Sequence, residues 1–84
     1  MKTIIIVDDH NLFAQSLQGL VNSFEEYKVL KIFKNGKELV DYLKAKQPVP
    51  DVILLDIRMP VLGGIETMEW LRDNYPDQKV MALT

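Results

Sequence analysis

Two acidic groups, each directly behind an unbroken apolar run, carry the chemistry of this 84-residue chain. Asp8 and Asp9 follow Ile4-Ile-Ile-Val7, and Asp56 follows Val52-Ile-Leu-Leu55. Four apolar residues without a polar face are short for a helix and suit a strand covered on both sides. A carboxylate placed behind such a strand costs on the order of several kcal/mol in lost hydration unless a cation or hydrogen-bond donors compensate it. The acids form an oxygen-only donor set, because the chain has no cysteine and its one histidine, His10, has no companion at ligand spacing. Such a set points to a hard ion, Mg²⁺ before Ca²⁺, with positions left over for water or phosphate. A single Asp behind a strand is ordinarily a turn or helix cap. Two separate buried strands that end alike argue instead for a shared site. Asp51 begins its strand rather than ending it, so it receives no role, and His10 reads as a loop residue in preference to a general base.

The elements that must position these acids follow from periodicity. Behind Asp8-Asp9-His10-Asn11, apolar residues at Phe13, Leu17, Leu20, Val21 and Phe24 trace one face of a helix running from Asn11 or Leu12 to Ser23. Val29-Leu-Lys-Ile-Phe33 is a strand whose central Lys31 fits an edge. Asn35-Gly36 is a turn, and Leu39, Val40 and Leu43 mark a second helix reaching about Lys46, stopped by Pro48 and Pro50. Beyond the Asp56 strand, Met59-Pro60 and Gly63-Gly64 form a loop. Ile65, Met68, Leu71 and Tyr75 then give a third helical stripe, and Val80-Met-Ala-Leu83 a last strand before Thr84. Met68 is assigned to the core, Met59 to loop packing and Trp70 to a partly exposed position.

Strand and helix alternate as βαβαβαβ, which predicts a parallel sheet with helices on both faces and right-handed crossovers. The two wholly apolar strands belong inside and the Lys31 strand at an edge, giving the order 2-1-3-4. This is an α/β, flavodoxin-like doubly wound sheet, incomplete at four strands, with its topological switch between strands 1 and 3. Ligands of such sheets bind beyond the C-terminal strand ends at the switch, and neighbouring strands lie about 4.8 Å apart. Asp8, Asp9 and Asp56 therefore share one small pocket, where their mutual repulsion calls for a cation.

Composition narrows the partners. Apolar residues make up 48% and charged residues 26%, ordinary globular usage that excludes disorder. The net charge of -2 with scattered Lys and Arg leaves no basic face for a phosphate backbone, so this segment does not bind nucleic acid. The apolar run before Asp8 is too short for a signal peptide, and no run approaches a membrane span. The chain reads as one cytoplasmic domain over residues 1–84, with no membrane partner.

The order Asp8-Asp9, Asp56-Ile-Arg-Met-Pro60, Gly63-Gly64 and Ala82-Leu83-Thr84 resembles the receiver domains of bacterial two-component response regulators. Val7-Asp8-Asp9-His10 and the Asp56 motif look most like regulators whose receiver precedes a helix-turn-helix DNA-binding domain. The resemblance implies that Asp56 accepts a phosphoryl group from a histidine kinase. It implies that Asp8, Asp9 and Asp56 hold Mg²⁺ with the backbone carbonyl of Arg58, and that the Thr84 hydroxyl turns toward the phosphoryl group and carries the signal. Such a protein is a self-phosphorylating signalling domain rather than a turnover enzyme. A carboxylate attacking phosphorus is nucleophilic catalysis whose remaining demands are positioning and charge neutralisation.

Two features depart from the family pattern. Gly63 stands where Asp is common, which is expected to loosen the loop and the helix start. The family's further helix, fifth strand with its Lys, and final helix are not among these residues, so the 84-residue piece is expected to accept phosphate poorly. It is also expected to self-associate through the apolar strand Val80–Leu83, an uncovered edge. Two other functions compete: a binding-only module that keeps the acids without phosphotransfer, and an aspartate-nucleophile phosphohydrolase. The second needs an acid two residues after the nucleophile, where this chain has Arg58.

Overall fold

The computed structural model describes residues 1–59 and 62–83. The elements are β1 (Lys2–Val7), α1 (Asn11–Asn22), β2 (Tyr27–Phe33), α2 (Gly36–Lys44), β3 (Val52–Asp56), α3 (Gly64–Asn74) and β4 (Lys79–Leu83). All strands are parallel, in the order β2-β1-β3-β4. The expected order is thus the observed one. The unbroken apolar character of β1 and β3 puts them at the centre, where both faces are covered.

The period of two along each strand splits the core into two layers. Ile5, Val7, Ile53 and Leu55 meet Leu39 and Leu43 of α2 and Leu71 of α3 on one face. Ile4, Ile6 and Leu54 meet Ala14, Leu17 and Val21 of α1 on the other. Lys31 is exposed on the β2 edge, and the β1–β2 register shifts by one between Ile4 and Ile5. A bulge there twists the edge away from flat pairing, a common protection for an exposed strand.

Helix α1 buries only part of the expected face. Ala14, Leu17 and Val21 face the sheet, whereas Phe13, Leu20 and Phe24 are half exposed or more. The line that meets Ile4, Ile6 and Leu54 is the one carrying Ala14, Leu17 and Val21. Helix α3 likewise buries only part of its expected stripe. Its buried positions are Gly64, Thr67 and Leu71, while Ile65 and Met68 lie at the surface, so Met68 is not a core residue. A Cβ at Gly36 would sit 2.7 Å from the Leu62 carbonyl oxygen, and one at Gly64 would overlap the Ile57 Cα. Where backbones pack this tightly only small side chains fit, and hydrophobicity alone picks the wrong stripe. Met59 is buried within the α2–α3 layer, a fuller role than loop packing. Trp70 is half-buried against Tyr75, with ring centroids 5.8 Å apart.

Helix α2 starts at an Asn35 cap that accepts from the Glu38 N–H at 2.9 Å, while the Glu38 carboxylate accepts from the Lys34 N–H at 2.9 Å. It ends at Lys44, two residues before the expected limit, and Lys46 takes a positive φ of 60°. The turn at Ala45-Lys46 ends the helix before the prolines are reached. Asp51 ties β1 to the entry of β3, because its carboxylate accepts from the Thr3 N–H at 2.7 Å and from the Thr3 hydroxyl at 3.1 Å. The Thr3 backbone bond holds the Asp51 carboxyl below its ordinary range. Among the described residues no helix is long and apolar enough to cross a membrane.

Candidate functional site

The pairing of β1 with β3 runs Ile4 to Val52 through Val7 to Leu55, so both strands end level. Asp8 and Asp56 therefore emerge side by side at the switch point. The Asp8 N–H donates to the Phe33 carbonyl at 2.9 Å and the Ile57 N–H to the Leu83 carbonyl at 3.3 Å, which pins both strand ends to their outer neighbours. Asp8 and Asp56 are buried, at 3% and 6% exposure. These values decide that neither acid is a solvated surface group.

Each acid uses one oxygen locally. Asp8 Oδ1 accepts the His10 N–H at 2.8 Å, and Asp56 Oδ1 accepts the Arg58 N–H at 3.0 Å. These are Asx turns, so the ordinary role of a strand-end Asp is present here too. It occupies only half of each carboxylate. Asp56 Oδ2 is turned to a cleft lined also by Asp9, His10, Arg58 and Leu83, and one donor atom from each of Asp8, Asp9, His10 and Asp56 falls within 4.8 Å of the others. Arg58 also lines the cleft, and Thr84 and Pro60 lie outside the described residues.

His10 lies in the loop between β1 and α1, exposed, with its ring turned toward the acids. Its Nδ1 lies 3.0 Å from Asp8 Oδ1, 3.2 Å from Asp9 Oδ1 and 3.7 Å from Asp56 Oδ2. The hydrogen bond to Asp8, followed by the charges of Asp9 and Asp8, raises the His10 pKa above its ordinary value. The ring nitrogen thus lies beside the oxygen donors Asp8, Asp9 and Asp56.

A divalent ion fits this pocket. Among the described residues Asp9 Oδ1 is buried without a hydrogen-bond partner, the unsatisfied atom that a cation repays. Asp8, Asp9 and Asp56 are the oxygen donors a Mg²⁺ ion takes.

The site loop returns to the fold through α3. Gly63 caps that helix, and the Glu66 carboxylate accepts the Gly63 N–H at 2.8 Å, so the helix start is held although the common Asp is missing. The Thr67 hydroxyl donates to the Gly63 carbonyl at 2.8 Å, and the Gly36 N–H donates to the Leu62 carbonyl at 3.3 Å. Two helices therefore grip the loop that follows Asp56.

Sheet order and acid placement define the class: a doubly wound α/β domain with an acidic cleft at its switch point. The profile of the response regulator receiver domain matches residues 4–84, and the chain belongs to that family. It is 39% identical over 84 residues to the transcriptional regulatory protein LnrK of Bacillus subtilis, covering 100% of this chain and 37% of LnrK. It is 36% identical over 81 residues to the transcriptional regulatory protein DegU of Brevibacillus brevis, covering 96% of this chain and 34% of DegU. The chain thus spans a little over a third of these curated relatives. Among solved structures, the response regulator protein TrrA of Thermotoga maritima, in complex with Mg²⁺-BeF, superposes with a TM-score of 0.87 at 30% identity, covering 100% of this chain and 70% of TrrA. The response regulator domain of Thermotoga maritima CheB gives 0.85 at 31% identity, covering 98% and 59% of the two chains.

Proposed function

We propose that this receiver accepts a phosphoryl group on Asp56 from a histidine kinase in a Mg²⁺-dependent step, and passes the change to a DNA-binding output domain. The observation that carries this reading is the meeting of Asp8, Asp9 and Asp56 at the switch point, with Asp56 Oδ2 turned into the cleft. That oxygen attacks phosphorus, the P–O bond forms as the bond to the kinase imidazole breaks, and Asp56 becomes an acyl phosphate. Asp8, Asp9, Asp56 and the Arg58 carbonyl would hold Mg²⁺, which would supply charge neutralisation on the phosphoryl oxygens. The Arg58 N–H, already on Asp56 Oδ1 at 3.0 Å, fixes the carboxylate plane so that Oδ2 is the attacking atom. Thr84 supplies the switch hydroxyl: the product carries nearly two negative charges and extra acceptor oxygens, which draw in a nearby donor. Residues 1–84 act as one receiver unit without turnover of its own, in a cytoplasmic setting.

The test is to incubate the full-length protein carrying this domain with Mg²⁺ and a small phosphodonor and to measure intact mass. A labile addition of one phosphoryl group, abolished by a chelator, is expected. Steady release of phosphate from unrelated monoesters, or no addition at all, overturns the reading.

As an 84-residue species, the chain self-associates at its β4 edge, by edge pairing or by exchange of elements with a second copy. Strand β4 is an edge of the sheet, and its Met81, in register with Leu54 on the α1 face, is 60% exposed. An apolar edge of this kind is a pairing site. Light scattering at tens of micromolar is expected to give a mass above that of one chain; a stable folded monomer contradicts it.

A further inference from the structure

Three hydrogen bonds run in line from α3 to the Asp56 carboxylate. The Thr67 hydroxyl donates to the Gly63 carbonyl at 2.8 Å, the Gly64 N–H to the Ile57 carbonyl at 3.2 Å, and the Arg58 N–H to Asp56 Oδ1 at 3.0 Å. The Gly63 carbonyl and the Gly64 N–H belong to one peptide group, and the Ile57 carbonyl and the Arg58 N–H to another. Each group is planar, so holding its oxygen sets the direction of its N–H. All three bonds donate toward Asp56, and bonds aligned in this way polarise one another, each strengthening the one ahead of it.

A Thr inside a helix ordinarily bonds the carbonyl four residues back and does nothing further. Here that carbonyl belongs to the N-cap, and the N–H of the same peptide group is one of the first in the helix, which have no partner within it and point outward. Thr67 is 0% exposed, so its hydroxyl has no water to turn to. It is held from α2 as well, because a Cβ at Gly36 would overlap Thr67 Oγ1. The Gly36 N–H and Thr67 Oγ1 both approach the Leu62 carbonyl, at 3.3 and 3.4 Å. Leu62 has a φ of 44°, a region that side chains such as Leu disfavour, and these contacts hold it there.

We propose that Thr67 is a positioning residue for the phosphoryl acceptor, acting through the Gly63–Gly64 and Ile57–Arg58 peptide groups on the plane of the Asp56 carboxylate. The proposal rests on reading Asp56 as that acceptor and adds a buried hydroxyl, outside the cleft, that directs it. Without the hydroxyl the Gly63 carbonyl still receives the Thr67 N–H at 3.0 Å, so α3 still starts. What is lost is the second donor on that oxygen, and with it the alignment and polarity of both peptide groups. The Asp56 carboxylate then turns more freely, and Oδ2 faces incoming phosphorus for less of the time.

The test compares the full-length protein carrying this domain with Thr67→Val, which loses the hydroxyl but not the shape, and Thr67→Ser, which retains the hydroxyl. Amide hydrogen exchange in chelator is followed at Arg58 and, as an internal reference, at Asp8, whose N–H donates to the Phe33 carbonyl on the other side of β1. The rate of phosphoryl addition from a small phosphodonor at saturating Mg²⁺ is measured on the same proteins. In Thr67→Val, exchange at Arg58 is expected to be about fivefold to tenfold faster with Asp8 unchanged, and phosphoryl addition about tenfold slower. Thr67→Ser is expected to match wild type in both. Faster exchange at Arg58 and Asp8 alike means that the hydroxyl only stabilises the domain, and unchanged exchange and rate mean that Asp56 is held without it; either result overturns the proposal. Thr67→Ala, which places nothing against Gly36, is read in the same way if Thr67→Val does not fold. A wild-type protein that takes up no phosphoryl group overturns the acceptor reading, and the Arg58 amide then still decides whether Thr67 sets the Asp56 carboxylate.

Discussion

Replacing Asp56 by Asn is expected to abolish the phosphoryl addition completely and, in the presence of a chelator, to raise the melting temperature. The two effects have one origin. Asp56 is 6% exposed and shares a cleft with Asp8 and Asp9, so its charge opposes folding when no divalent ion is bound. An amide keeps the Oδ1 acceptor for the Arg58 N–H at 3.0 Å and removes the charge. It also removes the nucleophile, since a neutral amide oxygen cannot displace a phosphoryl donor. The variant is therefore expected to melt several degrees higher than wild type in chelator, with about 1 kcal/mol gained. The ordering reverses as Mg²⁺ is added, because an ion at about 100 times its dissociation constant stabilises wild type by about 2.7 kcal/mol and the variant far less. Intact mass after phosphodonor treatment and melting curves with and without Mg²⁺ measure both arms. Any residual labile addition in Asp56→Asn means that another group is the acceptor. A lower melting temperature in chelator means that the carboxylate is compensated within the apoprotein, with the His10 ring as the compensating group.

Gly64→Ala is the substitution expected to damage the fold most for its size. The first residue of α3 packs against the chain just behind Asp56: its added Cβ would overlap the Ile57 Cα and lie 2.8 Å from the Asp56 carbonyl oxygen. Both are backbone atoms, so no rotamer change relieves the contact. Either α3 lifts off the sheet, breaking the Gly64 N–H to Ile57 carbonyl bond of 3.2 Å, or the Asp56–Arg58 turn shifts. Overpacking of this kind costs about 3 kcal/mol, corresponding to a fall in melting temperature of at least about 10 °C in a domain this small. A turn that shifts also carries the Arg58 backbone away from the cleft, so Mg²⁺ affinity is expected to fall as well. Gly63→Ala is the control. Its Cβ would meet the far end of the Glu66 side chain at 3.1 Å and the Met59 carbonyl at 3.4 Å, at an ordinary φ of -64°. A change within about 0.5 kcal/mol is expected there. Equal melting of the two variants would show that α3 can start without close approach to β3.

What the amino-acid sequence determined by itself was the periodic and the local. Unbroken apolar runs at Ile4–Val7 and Val52–Leu55 can only be central strands, and alternation with helices leaves a doubly wound order as the economical arrangement. The acids behind those runs are brought together by that order alone, because parallel neighbours end level. Tertiary structure decided which of two adjacent apolar lines faces the sheet. Ala14 is buried where Phe13 is half exposed, and Thr67 is buried where Met68 is not, the latter because Gly36 of α2 and the loop behind Asp56 approach Thr67 closely. Hydrophobicity has no term for that distance. It also decided where the His10 ring lies. Whether the His10 ring lies over Asp8 and Asp9 or points into solvent depends on the backbone path between β1 and α1, which the residue's type and neighbours do not encode.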